Sequence, residues 1–193
     1  MRYLVRIGLV VVAIVAVAAV LHRYSSIGGD HCIVLGAGVA NADEDCLRQD
    51  AISQRWATAQ QQQLAITAAS LTTGLLFTET NGEDPITITS QRGGPGHDLV
   101  MRYLARYAGR LITDRPPGSQ VAEHVEAKAA ALMRENGDAY GVLVINNPDG
   151  PCRYASGPGG CDMAIQLILP AGSTMVVWWP GGNHKEYAGR AQL

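Results

Sequence analysis

The chain lacks an excess of positive charge. Lys and Arg number 15 against 17 Asp and Glu, a formal net charge of −2. No global basic field therefore attracts a polyanion, and any nucleic-acid contact must come from a local patch. Charge of either sign is scarce, at 17 % of residues against 47 % hydrophobic ones, and the apolar N-terminus inflates the second figure. The glycine-rich stretch Gly93-Gly94-Pro95-Gly96 has no Lys-Ser/Thr pair after it. That absence removes a phosphate-cradling P-loop from consideration and leaves a linker. With 193 residues, the chain is long enough for one domain with a proper core plus extra segments.

Residues 7–21 form an unbroken apolar run, preceded by Arg2 and Arg6 and followed by His22 and Arg23. A membrane-spanning helix needs about 20 apolar residues and a signal-peptide core about 7–15. The run falls between them. Counting Leu4 and Val5, with Arg6 snorkelling to the interface, residues 4–21 can just span. We therefore expect a signal anchor over residues 1–23, with a cleaved signal peptide as the alternative. The positive charge ahead of the run places the N-terminus inside and the remainder outside the cytoplasm, membrane-anchored or secreted. Of the 4 cysteines, Cys32 and Cys46 follow this segment at a short, glycine-containing separation. In an oxidising compartment they could close a small disulfide.

Residues 43–70 carry few helix breakers, and Leu47, Ala51, Trp56, Ala59, Leu64 and Ala68 recur near helical spacing. One helix or two is expected, within a helical linker over residues 24–70. Gln60 to Gln63 read as a solvated helix face. Two short strands then flank Asn81-Gly82, a strong hairpin signal, and Pro85 marks the second as an edge or late-starting strand. Residues 97–112 return to helical spacing, with Val100, Tyr103, Leu104, Tyr107 and Leu111 on one face and Arg102, Arg106 and Arg110 on the other. The arginine stripe could neutralise successive phosphates. An ordinary solvated face is the reading the sequence favours, because helix surfaces are normally charged.

The chemistry converges on residues 124–161. His124-Val125-Glu126 opens a helical run that stops at Gly137, and residues 142–145 form a buried apolar strand. Asn146-Asn147-Pro148-Asp149-Gly150-Pro151 leads into Cys152, and Cys161 opens a helix that ends before Pro170. Histidine, glutamate, Pro-Cys and a second cysteine, in that order, are the parts of a zinc-dependent deaminase site. A neutral His124 with Cys152 and Cys161 thiolates balances the charge of Zn²⁺ and leaves a fourth position for water. Residues i and i+2 of a helix point to different sides. His124 and Glu126 can thus share a site only off the helix N-terminus, where the dipole also favours thiolate and hydroxide. Glu126 would move the protons. The usual spacing of two residues between the cysteines is missing, since residues 153–160 intervene. Gly157, Gly159 and Gly160 in that insert allow it to loop out.

From about Thr72 onward the sequence resembles the DddA-like bacterial toxin deaminases of the zinc-dependent nucleotide deaminase superfamily. The resemblance rests on Thr73-Gly74-Leu75, His124-Val125-Glu126-Ala127-Lys128-Ala129-Ala130, Met133-Arg134-Glu135-Asn136-Gly137, Ile145-Asn146-Asn147-Pro148, Gly150-Pro151-Cys152, Gly160-Cys161-Asp162, Leu169-Pro170-Ala171-Gly172-Ser173 and Trp179-Pro180-Gly181-Gly182. It implies an α/β fold, a cytidine-deaminase-like mixed five-stranded sheet flanked by helices, over residues 71–193. It also implies Zn²⁺, deamination of cytosine to uracil in DNA, delivery as an antibacterial toxin acting in the target cell, and a cognate immunity protein. Asn146 and Asn147 join Arg102, Arg106 and Arg110 as candidate substrate contacts. Trp178 and Trp179 lie in an expected buried strand, where aromatics more often serve the core than stack on a base.

Two other functions remain open on the sequence. One is a deaminase of RNA or a free nucleoside; the export segment opposes the nucleoside form. The other is a membrane-anchored envelope or binding protein with a silent deaminase scaffold, in which Cys152 and Cys161 are disulfide-bonded.

Overall fold

The computed structural model describes residues 40–64, 71–82, 84–107, 121–152 and 161–192, with the backbone alone at 40–44 and 161. Residues 1–23, Cys32, Arg110 and residues 153–160 lie outside this set, and with them the expected membrane anchor. Among the described residues no helix is long and apolar enough to cross a membrane.

Period-two alternation along the strands builds a sheet with two apolar faces. Strands β1 (Thr73–Thr78), β2 (Ile86–Thr89), β3 (Tyr140–Ile145), β4 (Thr174–Trp179) and β5 (Asn183–Ala188) form a five-stranded mixed sheet in the order β2-β1-β3-β4-β5. The pair β3–β4 is parallel, and the other three pairs are antiparallel. Leu76, Leu143, Ile145, Met175 and Val177 face one core, whereas Leu75, Phe77, Val142, Val144, Val176 and Trp178 face the other. A sheet apolar on both faces must be covered on both.

The first face receives α3 (His97–Ala105), α4 (Val125–Asn136) and α5 (Cys161–Ile168). Residues 125–131 of α4 are buried without interruption. The helix has first-turn Glu126 and last-turn Arg134, which suit its dipole, and ends at Gly137 with φ 79°. The other face receives α1 (Ala40–Ala51) and α2 (Gln54–Leu64) through Leu47, Ala51, Trp56, Ala57 and Leu64. Trp56 meets Phe77 edge-on at 4.9 Å between ring centroids, and the Trp178 indole N–H donates to the Ala51 carbonyl at 2.7 Å. The helical segment expected as a linker is thus, over its described part, a layer of the fold. Its pattern is genuine, but its apolar stripe is satisfied by the sheet.

The hairpin turn matches the Asn-Gly reading. Asn81 accepts the Thr78 N–H at 2.6 Å and donates to the Leu76 carbonyl at 3.0 Å, and Gly82 has φ 53°. β2, with Pro85 just ahead of it, is an edge strand.

Candidate active site

α4 runs antiparallel to β3, so the helix start and the strand end lie at the same end of the sheet. The parallel pair β3–β4 is joined through α5, whose first residue is Cys161. Ligand crevices in sheets of this kind form beyond the carboxyl ends of the parallel strands. His124 is the N-cap residue of α4, extended at φ −82° and ψ 136°. It stands off the helix end and is half-buried, the placement that the His-x-Glu spacing demanded. Burial lowers the imidazole pKa, against the opposing charge of Glu123, which favours the neutral ring a metal requires.

Glu126, in the first turn, is buried. Desolvation pushes its carboxyl up to about 7, with the Asp162 charge adding to the rise, while its own backbone N–H and that of Cys152 hydrogen-bond to it and oppose the rise. The Cys152 N–H bond is the contact that brings the two halves of the motif together. Cys152 itself is half-buried and carries a free thiol. Cys161 enters with its backbone position only. Among the described residues no group of three His, Cys, Asp or Glu side chains clusters as a metal site, a set that leaves out the Cys161 side chain. Cys46 is disulfide-bonded; Cys32, its expected partner, lies outside the described residues.

The turn that delivers Cys152 is tied down. Asn147 donates to the Gly150 carbonyl at 2.7 Å and accepts the Asp149 N–H at 3.2 Å. Asn146 accepts the Thr73 N–H at 2.8 Å and so fastens the end of β3 to β1. Asn146 therefore braces the end of β3, and Asn147 braces the turn ahead of Cys152. Gly150 has φ 78°, and a Cβ built there would lie 2.7 Å from the Trp179 indole. Gly150→Ala is expected to cost about 1–3 kcal/mol in backbone strain alone and to displace the Cys152 N–H from Glu126. Thermal melts and turnover rates, measured together, should both fall.

Asp162 is a site residue that sequence reasoning passed over. Its carboxylate accepts from Lys185 Nζ at 2.6 Å and from the Tyr187 hydroxyl at 2.8 Å. β5 thereby holds the first turn of α5, beside Cys161. Acid, lysine and tyrosine are far apart in sequence, and only the β4–β5 pairing reveals them as a unit.

The arginine stripe divides. Arg102 pairs with Glu135 at 3.6 Å and lies over Tyr103, Arg106 is exposed at the end of α3, and Arg110 is not described. Trp178 belongs to the core, stacked on His184 at 4.4 Å between centroids. The half-buried Trp179 packs against Gly150.

Comparison with known proteins agrees with this geometry. The family described as SCP1.201-like deaminase matches residues 49–191. A stretch of 66 residues is 36 % identical to Double-stranded DNA deaminase toxin A of Burkholderia cenocepacia (strain H111), covering 34 % of this chain and 4 % of that protein. The shared stretch is thus a small part of the relative's length. The family match, in contrast, takes in the whole sheet, the helices on its first face and, on the other face, α2 with the last residues of α1. The chain belongs to the SCP1.201-like deaminase family.

Proposed function

We propose that the chain converts cytosine to uracil in DNA and acts as a toxin. The observation that carries this reading is the buried Glu126 carboxyl, hydrogen-bonded by the Cys152 N–H beside the His124 N-cap, in a chain of a deaminase family. The toxin relative's name specifies double-stranded DNA, so duplex is the first substrate to test.

His124, Cys152 and Cys161 would hold a zinc ion. The donors described fit it: a half-buried imidazole that burial keeps neutral and a free thiol. Zinc, when bound, lowers the pKa of a water from about 15.7 to about 7. Glu126 takes a proton from the attacking water, delivers it to N3 of the ring as the water oxygen bonds to C4, and passes a proton to the departing amine. The C4–N bond breaks and ammonia leaves, so one water is consumed for each uracil formed. Burial excludes bulk water from Glu126 and keeps its carboxyl near the pKa at which both proton transfers are easy.

The toxin reading further proposes a cognate immunity protein in the producer. The apolar run at residues 4–21 supports membrane anchoring with the catalytic part outside the cytoplasm, or secretion. The experiment is a parallel assay of the purified full chain on duplex DNA, single-stranded DNA and RNA, with metal analysis of the same sample. Uracil in DNA together with stoichiometric zinc is the expected result. Activity confined to RNA would replace DNA as substrate; stoichiometric zinc with no deamination of any nucleic acid would refute the function.

A further inference from the structure

Among the described residues, the proposed chemistry leaves one buried cation without a task. Lys128 lies in the interior of α4 with 1 % of its surface exposed. A buried ammonium is tolerated only when its hydrogen bonds are satisfied, and the alanines at 127, 129, 130 and 131 offer no side-chain acceptor. The partners come from the segment after β2. Lys128 Nζ donates to the carbonyls of Thr89 at 2.9 Å, Gln91 at 2.6 Å and Gly93 at 2.8 Å. All three ammonium protons are used. Farther along, Gly96 has φ 81°, and a Cβ there would lie 2.7 Å from the Lys128 carbonyl oxygen. Residues 89–96 are therefore wrapped on one lysine, and the stretch that reads as a linker is a fixed wall of the fold.

That wall stands next to the site. Lys128 is one helical turn from His124, and its N–H donates to the His124 carbonyl at 3.1 Å. The carbonyls it grips at Gln91 and Gly93 flank Arg92. The Arg92 side chain points outward, 85 % exposed, with Nε 3.4 Å from a carboxylate oxygen of Glu123, the neighbour of His124. Its guanidinium is thus paired with the residue that immediately precedes the candidate ligand His124.

The net charge of −2 supplies no general attraction for DNA, so local cations must serve. Lys185 is engaged with Asp162, and Arg134 lies over Tyr103 while donating to the Ile168 carbonyl. The Arg92–Glu123 contact is an exposed ion pair, a kind that contributes little and that a phosphate can displace. A guanidinium fork also matches phosphate oxygens in pairs.

We infer that Arg92 contacts a backbone phosphate of the DNA strand carrying the target cytosine, and that Lys128 is a positioning residue that fixes Arg92 by holding the carbonyls on either side of it. This inference rests on the DNA-deaminase reading above.

The test is steady-state deamination of a cytosine-containing DNA oligonucleotide by the full chain at several salt concentrations. Arg92→Ala should raise KM roughly threefold to tenfold, leave kcat within about a factor of two, and reduce the slope of log KM against log salt by about one. Zinc content and Tm should be unchanged. Lys128→Met should raise KM similarly, and Arg92→Ala added in that background should raise it little further, since the two act as one unit. If Lys128→Met does not fold, Gly93→Ala takes its place: φ there is 77° and the space beside it is open, so the loop is disturbed without a clash. Unchanged KM and salt slope in Arg92→Ala overturns the inference, as does full additivity of the paired changes. If the wild-type chain deaminates DNA and Arg92→Ala matches it, this inference alone falls. If the wild-type chain deaminates no DNA, the substrate reading falls and takes this inference with it.

Discussion

A fragment that begins at residue 71 is expected not to fold, whereas one that begins at residue 40 should give a cooperative melt. The shorter piece contains every strand and every candidate site residue described, and a boundary at residue 71 is the one that the catalytic motif suggests. It also strips α1 and α2 from the sheet. Leu75, Phe77, Tyr140, Val142, Val144, Val176 and Trp178, all buried in the second core, would lose their cover. Full burial of such a side chain is worth roughly 1.5–3 kcal/mol, so the loss is on the order of 10 kcal/mol even after discounting for a compact unfolded state. Domains have only about 5–15 kcal/mol in total. The Trp178 indole N–H would also lose the Ala51 carbonyl. Circular dichroism and thermal denaturation of the two fragments decide the matter. A cooperative transition in the fragment from residue 71 would show that the helices are an accessory layer. The family match beginning at residue 49, inside α1, agrees with the opposite outcome.

The sequence made some of this legible through short-range physics. Asn81-Gly82 specified the hairpin because its turn chemistry is local, and Gly137 ended α4 because it adopts the left-handed conformation there. The His-x-Glu spacing required a helix N-terminus, and His124 is an N-cap. The partners of these elements were harder to read. The stripe on residues 43–70 announced one amphipathic helix or two but not what its described part covers; a sheet face and another helix make the same demand. Lys128 and Asp162 escaped for a related reason. A lysine among alanines ordinarily marks a solvated position, and its three acceptors are backbone carbonyls, which carry no sequence signal. Asp162 reads as a favourable first-turn acid until β5 brings Lys185 and Tyr187 to it. Arg102 reads as part of a solvated helix face, with a step of a phosphate-binding ladder as the alternative, and the sequence does not show that Glu135 of α4 stands beside it, a pairing set by how α3 packs on α4.

Replacing Glu126 with glutamine should reduce deamination by about 10²–10⁴-fold or more, the range expected on losing a positioned acid–base group, while the fold and the zinc content proposed above are unchanged. The amide keeps the volume and retains an oxygen able to accept the Cys152 N–H that now bonds to the carboxylate. It cannot take the proton of the attacking water and return it to N3 and the leaving amine. Zinc content by elemental analysis, circular dichroism and single-turnover rates on a cytosine oligonucleotide separate loss of chemistry from loss of structure. Asp162 supplies the control, because its charge acts on Glu126 while Lys185 and Tyr187 occupy its oxygens. If Glu126→Gln retains substantial activity and Asp162→Asn abolishes it with zinc still bound, the proton passes through Asp162 instead. If Glu126→Gln is inactive and Asp162→Asn only impaired, the acid off the α4 N-terminus carries the proton and the acid at the start of α5 holds the neighbouring helix in place.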